Sequence, residues 1–448
     1  MIQTIINAWK IADLRKKLLY TALILLVFRI GAAIPVPFVD AASGIFSTQA
    51  AQGTFMEYLQ MMTGDAFNYG TVFALSITPY INSSIIMQLL TVAIPYLERL
   101  QKEGEEGRKK IASITRVVTV VLGLLQSTAY YFYLRNQTGP DGKNFLMKDA
   151  AGDPFTGFAA VFQAIVIILC FTAGTALIMW MGERINEKGI GNGISMILFA
   201  GIVSRIPALV TTIWSYFEQG VNVPAYYALA PIAYIIMLAM IAYIVWMDNA
   251  ERRIPVQYAK RVVGRKMYGG QSTHIPIKVN MSGVMPVIFA SSILSLPPTI
   301  QMFVNVKEGS GWATFFKIFT AEHWAYAIIY FVLILFFAYF YASIQYNPIE
   351  MANNIRKQSG AIPGIRPGKP TSDYIGKILS RITLLGALLL CVVALFPIIF
   401  SQVTAACKVP MNLSLGGTSI IILVGVALET VKQLESQMMM RHYKGFLD

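Results

Sequence analysis

Long apolar runs alternate with shorter polar segments along almost the whole chain. A helix needs about 20 consecutive, mostly apolar residues to cross the hydrocarbon core of a bilayer. Runs of this kind recur ten times, so the pattern predicts an all-α polytopic membrane protein with ten transmembrane helices. The predicted spans lie near residues 18–36, 72–96, 117–134, 157–182, 193–213, 225–247, 283–304, 324–346, 383–404 and 414–431.

Two of the polar interruptions are much longer than a connection between neighbouring helices needs. Segments 248–282 and 347–382 hold 7 and 6 of the chain's 36 Lys and Arg residues. Because Lys and Arg accumulate in the cytosolic loops of membrane proteins, we expect both segments in the cytosol. Their length and charge also indicate docking of a partner there, although topology alone accounts for part of the charge.

The distribution of basic residues predicts the orientation of the chain. With a cytosolic N-terminus, the cytosolic segments hold 28 of the 36 Lys and Arg residues, the external segments hold 7, and Arg29 alone lies within a span. Both termini are therefore predicted to be cytosolic. Ahead of the first span, Ile2, Ile6 and Trp9 recur at helical spacing among basic residues, which predicts an amphipathic helix on the cytosolic membrane surface.

Composition excludes a soluble protein. The 448 residues are 56% hydrophobic and 13% charged, whereas soluble domains carry about 25% charged residues. The net charge of +13 could indicate nucleic-acid binding, but basic cytosolic loops account for the same excess. The three cysteines, two of them in apolar runs, predict no disulfide framework.

Sequence signals of catalysis and of metal binding are missing. The chain contains no HExxH, GxxxxGK or GxSxG motif, and its three histidines are isolated in polar segments. We therefore predict neither an enzyme nor a metal or organic cofactor. Arg29 is the only ionisable residue deep within a predicted span, and ion-coupled transporters typically carry more buried charge.

Prolines interrupt several predicted spans, among them Pro79, Pro95, Pro286 and Pro397. Broken helices are tolerated where the backbone lines a cavity or is buried in protein, but kinked helices that simply pack together give the same pattern. The stretch 55–70 is moderately apolar, contains two carboxylates and is too short to span, so it predicts a half-inserted helix.

Eight separated motifs, in order along the chain, carry a resemblance to a known family. They are VFRIGAAIPVP at 27–37, TPYINSSIIMQLL at 78–90, KEGEEGRKKI at 102–111, MGERINEKGIGNGIS at 181–195, ERRIPVQYAKR at 251–261, KVNMSGVMPVIFASSI at 278–293, PGIRPGKPT at 363–371 and GGTSIIILVGVALET at 416–430. On these motifs, the chain resembles the SecY/Sec61-alpha family of protein-conducting channels over essentially its whole length.

The resemblance implies two five-helix halves, at about 1–218 and 219–448, that face each other around an hourglass-shaped pore. Such a channel in the bacterial cytoplasmic membrane would pass unfolded preproteins across it and release transmembrane helices sideways through a lateral gate. The half-inserted stretch would be the plug that blocks the external funnel. Its residues on this reading are Phe55, Met56, Leu59, Met62, Asp65 and Tyr69.

The resemblance also implies a constriction ring in the pore. Branched apolar side chains suit such a ring, because a narrow apolar passage dewets and excludes hydrated ions. The alternative for each residue is an ordinary contact between helices. The ring residues implied by the motifs are Ile81, Ile85, Ile194, Leu198, Ile288 and Ile422.

The lateral gate implied by the resemblance lies among the second, third, seventh and eighth spans. Hydrogen bonds between membrane helices are worth about 1 kcal/mol or less each, enough to hold a seam that an apolar signal helix can separate. Plain packing contacts are the alternative. The polar candidates are Ser84, Gln88, Thr91, Gln126, Ser291 and Ser292.

The two basic segments acquire partners from the same resemblance. Basic loops suit both the phosphates of ribosomal RNA and an acidic protein surface, and the resemblance implies docking of the ribosome and of the SecA ATPase, with Arg366 as the leading residue. It also implies SecE-like and SecG-like membrane subunits, preprotein signal sequences and the lipid bilayer as partners. The docking candidates are Arg252, Arg253, Lys260, Arg261, Arg366 and Lys369.

The chain departs from the family pattern near the proline of the second span. Ser76 and Asn82 stand where the resemblance leads us to expect Gly and Ser. Two other classes stay open on the residues alone. A secondary transporter with inverted repeats also has two five-span halves, and a scaffold or insertase needs no conducting pore.

Overall fold

The computed structural model of the protein describes residues 2–40, 63, 66–136, 145–147, 155, 157–221, 223–258, 261–263, 266–268, 272–294, 296–301, 311–319, 323–407, 409 and 416–444. The helices are α1 (Ile2–Lys10), α2 (Ala12–Gly31), α3 (Thr78–Ala93), α4 (Pro95–Lys102), α5 (Glu105–Asn136), α6 (Phe158–Lys188), α7 (Gly193–Val203), α8 (Ile206–Gln219), α9 (Ala225–Asn249), α10 (Met285–Leu294), α11 (Leu296–Gln301), α12 (Gly311–Ile318), α13 (Trp324–Gln345), α14 (Pro348–Lys357), α15 (Lys369–Ala406) and α16 (Gly417–Lys444). The strands are β1 (Glu251–Tyr258), β2 (Arg261–Val263), β3 (Lys266–Tyr268), β4 (Ser272–Lys278) and β5 (Gly360–Ala361).

The long apolar helices account for the predicted spans. Within the described part of the chain, seven helices, counting end-to-end pairs once, are long and apolar enough to cross a membrane, and the bent pair α3–α4 makes an eighth. The first predicted span corresponds to α2, whose 20 residues include Arg15 and Arg29. The seventh corresponds to the short helices α10 and α11. All ten predicted spans contain helix, and the architecture is consistent with ten transmembrane helices.

The second predicted span is broken rather than continuous. Residues 72–77 form turns, α3 follows, and α3 and α4 are bent by 100° at Ile94. Pro95 causes the bend, because the residue before a proline favours extended backbone and Ile94 has a ψ of 114°. Pro79 lies in the first turn of α3, where its missing N–H leaves no helical hydrogen bond unmade.

The non-helical start of the second span is enclosed between α2 and α6. The Val72 amide donates to the Ile34 carbonyl (3.0 Å), so this segment pairs with the chain that follows α2. Glycines on both helices permit the close approach. A Cβ at Gly31 would lie 2.1 Å from the Phe73 ring, and a Cβ at Gly174 would lie 2.0 Å from the Val72 carbonyl oxygen.

The two terminal helices, α1 and α16, meet at one end of the molecule. The Thr4 hydroxyl donates to the Glu435 carboxylate (3.1 Å). The predicted helix is present, and on it Ile6 and Trp9 are about half exposed (52% and 48%) while Ala8 is fully buried, so one side of α1 packs against the protein. A small apolar cluster at this junction contains Ala8, Leu14, Ile190 and Leu434.

A large apolar cluster, called here the central cluster, occupies the middle of the bundle. It draws buried side chains from α2, α3, α6, α7, α8, α9, α10, α13, α15 and α16. The residues that the sequence singles out for the pore lie in this cluster or pack against it.

A separate ion pair joins α5 to α6, where Arg116 Nε donates to the Glu183 carboxylate (2.7 Å).

Candidate functional site

The six predicted ring residues come together in the central cluster although they are far apart in the sequence. Two lie on α3, two on α7, one on α10 and one on α16. Five are buried, with exposed fractions between 2% for Leu198 and 8% for Ile288, and Ile194 is half-buried against the same cluster. The buried members are Ile81, Ile85, Leu198, Ile288 and Ile422.

Local sequence features set where each ring-bearing helix begins. Helix α3 starts one residue before Pro79, and α10 starts one residue before Pro286, positions that proline favours. Helix α7 is capped by the Asn192 side chain. Helix α16 starts at Gly417, where a Cβ would lie 2.2 Å from the Val393 carbonyl oxygen of α15, so only glycine permits this approach.

Two buried hydroxyls lie just before the ring residues of α3. Ser76 and Thr78 are 1% and 9% exposed, and neither hydroxyl has a hydrogen-bond partner among the described residues. Ser76 also has a φ of 48°, a backbone conformation that glycine adopts most readily. The structure thus explains why the family resemblance leads to the expectation of glycine at this position.

The predicted gate residues lie on three helices. All six are buried or half-buried: Ser84, Gln88 and Thr91 on α3, Gln126 on α5, and Ser291 and Ser292 on α10.

Several hydrogen bonds of these gate residues stay within one helix. A bond between two helices comes from the neighbouring Ser83, whose hydroxyl donates to the Thr115 carbonyl (2.9 Å) and joins α3 to α5. The bonds within helices are from Gln88 Nε2 to Ser84 Oγ (3.3 Å), from Thr91 Oγ1 to the Met87 carbonyl (2.6 Å) and from Ser291 Oγ to the Ile288 carbonyl (2.9 Å).

Most of the predicted plug lies outside the described residues. Tyr69 is described and is 48% exposed, whereas Phe55, Met56, Leu59, Met62 and Asp65 are not described.

The chain that leads from the predicted plug into the second span is fixed to α5. The Tyr130 hydroxyl donates to the Phe67 carbonyl (2.5 Å), and the two rings lie 4.4 Å apart. The Phe67 amide in turn donates to the Thr63 hydroxyl (3.3 Å). Sequence reasoning did not identify Tyr130, because no local pattern links a tyrosine on α5 to residue 67.

The two basic segments, predicted as separate projections, form one folded unit. Strands β1 and β4 pair as an antiparallel hairpin, and β5 from the second segment adds to the other edge of β1. The joining register pairs Gln257 with Ala361 and Tyr258 with Gly360. A shared apolar core lies beneath this sheet and contains Ile254, Val256, Ile277, Met281, Ala352, Ile355, Ile362, Ile375 and Leu379.

The docking candidates are exposed wherever their side chains are described. Arg252 and Arg253 lie on β1, and Arg253 also pairs with Glu251 (2.7 Å). Lys369 begins α15. Lys260 lies outside the described residues, and only the backbone of Arg261 is described, in β2.

Arg366 stands in a rigid turn on this unit. Gly364 and Gly368 flank it with φ angles of 80° and 109°, which glycine adopts without strain. The Thr371 hydroxyl donates to the Arg366 carbonyl (2.8 Å) and fixes the turn to the start of α15. The Arg366 side chain is exposed, so the turn presents a cationic group to solvent.

The fold defines a helical protein with several candidate membrane spans around a buried apolar cluster. A family model described as SecY matches residues 71–431. The chain is 44% identical over 452 residues to the protein translocase subunit SecY of Streptomyces coelicolor and 43% identical over 457 residues to that of Mycobacterium tuberculosis (strain ATCC 25618 / H37Rv), and both alignments cover 100% of each chain. The chain belongs to the SecY family.

Solved channel structures share the fold. A structure described as a protein-conducting channel has a TM-score of 0.59 at 18% identity, and a SecY structure whose plug domain is described as stabilising the closed state has 0.58 at 19%. Sec61 in a canine ribosome–channel complex has 0.53 at 17%. In all three comparisons the match covers 94% of this chain and 92% of the other.

Family membership decides between the classes that the sequence left open. The chain is a multi-pass bacterial membrane protein that forms a channel for protein translocation, and it is neither an enzyme nor a solute transporter.

The positive φ and the unpaired hydroxyl of Ser76 predict that substitutions at this position raise the thermal stability of the protein. Ser76→Ala should raise the thermal midpoint because it removes an unpaired buried hydroxyl, whose burial costs about 1–3 kcal/mol. Ser76→Gly should raise it further because a positive φ costs a residue with a Cβ about 1–2 kcal/mol. Unfolding in detergent, followed by intrinsic fluorescence, measures both. A lower midpoint for Ser76→Gly than for Ser76→Ala would contradict the role of φ.

Proposed function

We propose that the chain carries unfolded preproteins across the bacterial cytoplasmic membrane through a pore narrowed by the six ring residues. One observation supports this most strongly: side chains from four helices spread over the whole chain belong to a single apolar cluster. Family membership supplies the class of function, the motif resemblance supplies the ring residues, and their shared apolar cluster supports the proposal. The ring consists of Ile81, Ile85, Ile194, Leu198, Ile288 and Ile422.

A ring of branched apolar side chains suits a channel that must hold ions back while idle. A narrow apolar passage loses its water and becomes a barrier to hydrated ions. The same side chains form no directed hydrogen bonds, so the ring holds no particular sequence in place. Dispersion contacts are worth only about 0.1–0.2 kcal/mol per atom pair and yield as a chain slides through.

Polar substitutions in the proposed ring should let ions pass through the idle channel. Replacing Ile81, Ile85 and Ile288 together with Ser should raise the ion conductance of idle channels in planar bilayers, because hydroxyl groups retain water in the constriction.

A matched variant separates the ring from apolar content in general. Ile165, Ile232 and Ile235 are 50%, 47% and 63% exposed and lie on α6 and α9, outside the proposed gate. Their replacement with Ser should leave idle conductance at the wild-type level. A ring variant that conducts no more than this control would exclude the ring.

The two halves and the plug complete the proposed closed channel. The halves meet at the α8–α9 connection, where Tyr216 and Tyr226 stack with ring centroids 5.6 Å apart. The plug at 55–70 blocks the external funnel, and the bond from Tyr130 to Phe67 fixes the residues through which it joins the second span.

The lateral gate is proposed to open between α3 and α5 on one side and α10 and α13 on the other. The gate hydrogen bonds observed within α3 and α10 need not break when the two sides part, because both partners move together. The Ser83 bond holds α3 to α5 on the same side of the seam. Each of these four bonds can persist while the two sides of the proposed gate separate.

A photocrosslinking residue in place of Ile86 tests the gate. A stalled preprotein should form an adduct through its signal sequence, because this side chain is 39% exposed on α3. The same probe in place of Ile235, which is 63% exposed on α9, should give none. Equal adducts at both positions, or none at Ile86, would refute the proposed path.

The sheet with its basic residues is proposed to face the cytosol together with both termini. The charge distribution supports this, since segments 248–282 and 347–382 hold 13 of the 36 basic residues. The proposed partners are the SecA ATPase and the ribosome at this surface, and SecE-like and SecG-like subunits within the membrane. Arg366 is the leading contact because its backbone is fixed and its side chain is exposed.

Charge reversal at Arg366 tests the docking surface. Arg366→Glu should strongly reduce SecA-driven export of a preprotein into membrane vesicles while the amount of the channel in the membrane stays unchanged, because a cation that meets an anionic partner becomes repulsive. Arg356→Glu makes the same charge change on α14 of the same unit and should have a much smaller effect. Normal export by Arg366→Glu would remove this residue from the contact.

A further inference from the structure

The corner between α6 and α7 is built around contacts that the proposed function does not use. It carries the motif GERINEKGIGNGIS at 182–195 and leads directly into two ring residues. We infer that Asn186 is a positioning residue for the constriction: its side chain fixes the start of α7 and thereby sets where Ile194 and Leu198 stand in the ring. The inference rests on the proposed ring.

Two asparagines satisfy the first amide groups of α7. Asn186 Oδ1 accepts a hydrogen bond from the Gly193 amide (2.7 Å), and Asn192 Oδ1 accepts one from the Ile194 amide (3.1 Å). The first four amides of a helix have no partner within the helix, so a side chain that accepts from them fixes the helix start. Asn192 is a local cap, whereas Asn186 reaches back from α6 and ties the two helices together.

Close backbone contact leaves α7 little room to move relative to α6. A Cβ at Gly193 would lie 1.9 Å from the Gly182 carbonyl oxygen, and a Cβ at Gly182 would lie 3.6 Å from Ile194 Cγ1. The start of α7 therefore rests directly on α6 beside the first ring residue. A shift of α7 along or around its axis changes this contact at once.

Two neighbouring helices, α2 and α16, also contact this corner. The Ile190 amide donates to the Thr21 hydroxyl of α2 (3.1 Å), and a Cβ at Gly189 would lie 2.6 Å from that hydroxyl. On the other side, the Thr430 hydroxyl of α16 lies 3.6 Å from Met196 Sδ. Helices α2 and α16 thus contact the corner, and the Asn186 side chain joins α6 to the first residue of α7.

The ring residues respond together to any movement of α7. Ile194 is the second residue of the helix, and Leu198 lies four residues later, so both occupy the same helix face. A rotation of α7 that withdraws one of them withdraws the other. Since Asn186 is itself an exposed side chain outside the central cluster, its effect on the ring acts through this geometry and not through apolar burial.

Idle ion conductance in planar bilayers tests the inference. Asn186→Leu keeps a similar volume without the acceptor and should raise conductance by up to about tenfold, the factor that corresponds to loss of one hydrogen bond of about 1.4 kcal/mol. Asn186→Asp keeps an acceptor oxygen and should stay near the wild-type conductance, since an anion is also favourable at a helix N-terminus.

Ile194→Gly provides the reference that separates the proposed ring from the proposed positioning role of Asn186. If Ile194→Gly raises conductance and Asn186→Leu does not, the positioning role is overturned and the ring stands. If Ile194→Gly itself leaves conductance unchanged, the ring proposal fails. Equal leaks from Asn186→Leu and Asn186→Asp would overturn the role of the acceptor.

The double variant distinguishes positioning from a general loss of stability. If Asn186 acts through Ile194, then adding Asn186→Leu to Ile194→Gly should raise conductance much less than it does in the wild-type background. Fully multiplicative effects would overturn the inference. Should Asn186→Leu fail to accumulate in the membrane, Asn186→Ala, which also removes the acceptor, replaces it in the cycle, with the same outcomes deciding.

Discussion

Every backbone polar group within the bilayer must find a partner inside the protein, and this constraint governs the rest of the structure. Unbroken helices satisfy it without help, but a channel that opens and closes needs helices that begin and end within the membrane. The second span shows how the conflict is resolved here. Its non-helical start is enclosed by α2 and α6, its Val72 amide bonds to Ile34, and glycines at 31 and 174 let the chain approach closely.

The same solution recurs where α7 and α16 begin. Helix α7 starts against the backbone of Gly182, with its first amides bonded to two asparagine side chains. Helix α16 starts at Gly417, against α15. These starts bring branched apolar side chains from four helices into the central cluster. The starts of these helices are held by hydrogen bonds and close glycine contacts, whereas the side chains of the proposed ring are held by weak dispersion contacts.

The sequence predicts the helical parts well because apolar runs are long and periodic. It also predicts helix α1 from the spacing of Ile6 and Trp9. The ring residues followed from motif resemblance, because isoleucine is too abundant in the spans for composition to single them out. The structure then assigned five of them to buried positions in one cluster.

What the sequence did not predict depends on contacts between distant residues. Strand β5 is two residues long and pairs with β1, which lies about a hundred positions earlier. No local sequence pattern therefore predicts that the two basic segments form one unit. The alternation of Ile254 and Val256 with exposed neighbours on β1 is the one signal that could have indicated a strand there. The bond from the Tyr130 hydroxyl to Phe67 and the bond from the Gly193 amide to Asn186 likewise depend on the folded chain.

The central claim is that side chains from α3, α7, α10 and α16 surround a translocating polypeptide at one level. Disulfide trapping tests it most directly, with a single cysteine midway along a stalled preprotein and single cysteines in the channel after Cys170, Cys391 and Cys407 are replaced. The account predicts that one preprotein position forms disulfides with cysteines at Ile81, Leu198, Ile288 and Ile422 and not with one at Ile334, which is fully buried in the same cluster. Disulfides with only one or two of these helices, or equal trapping at Ile334, would contradict it.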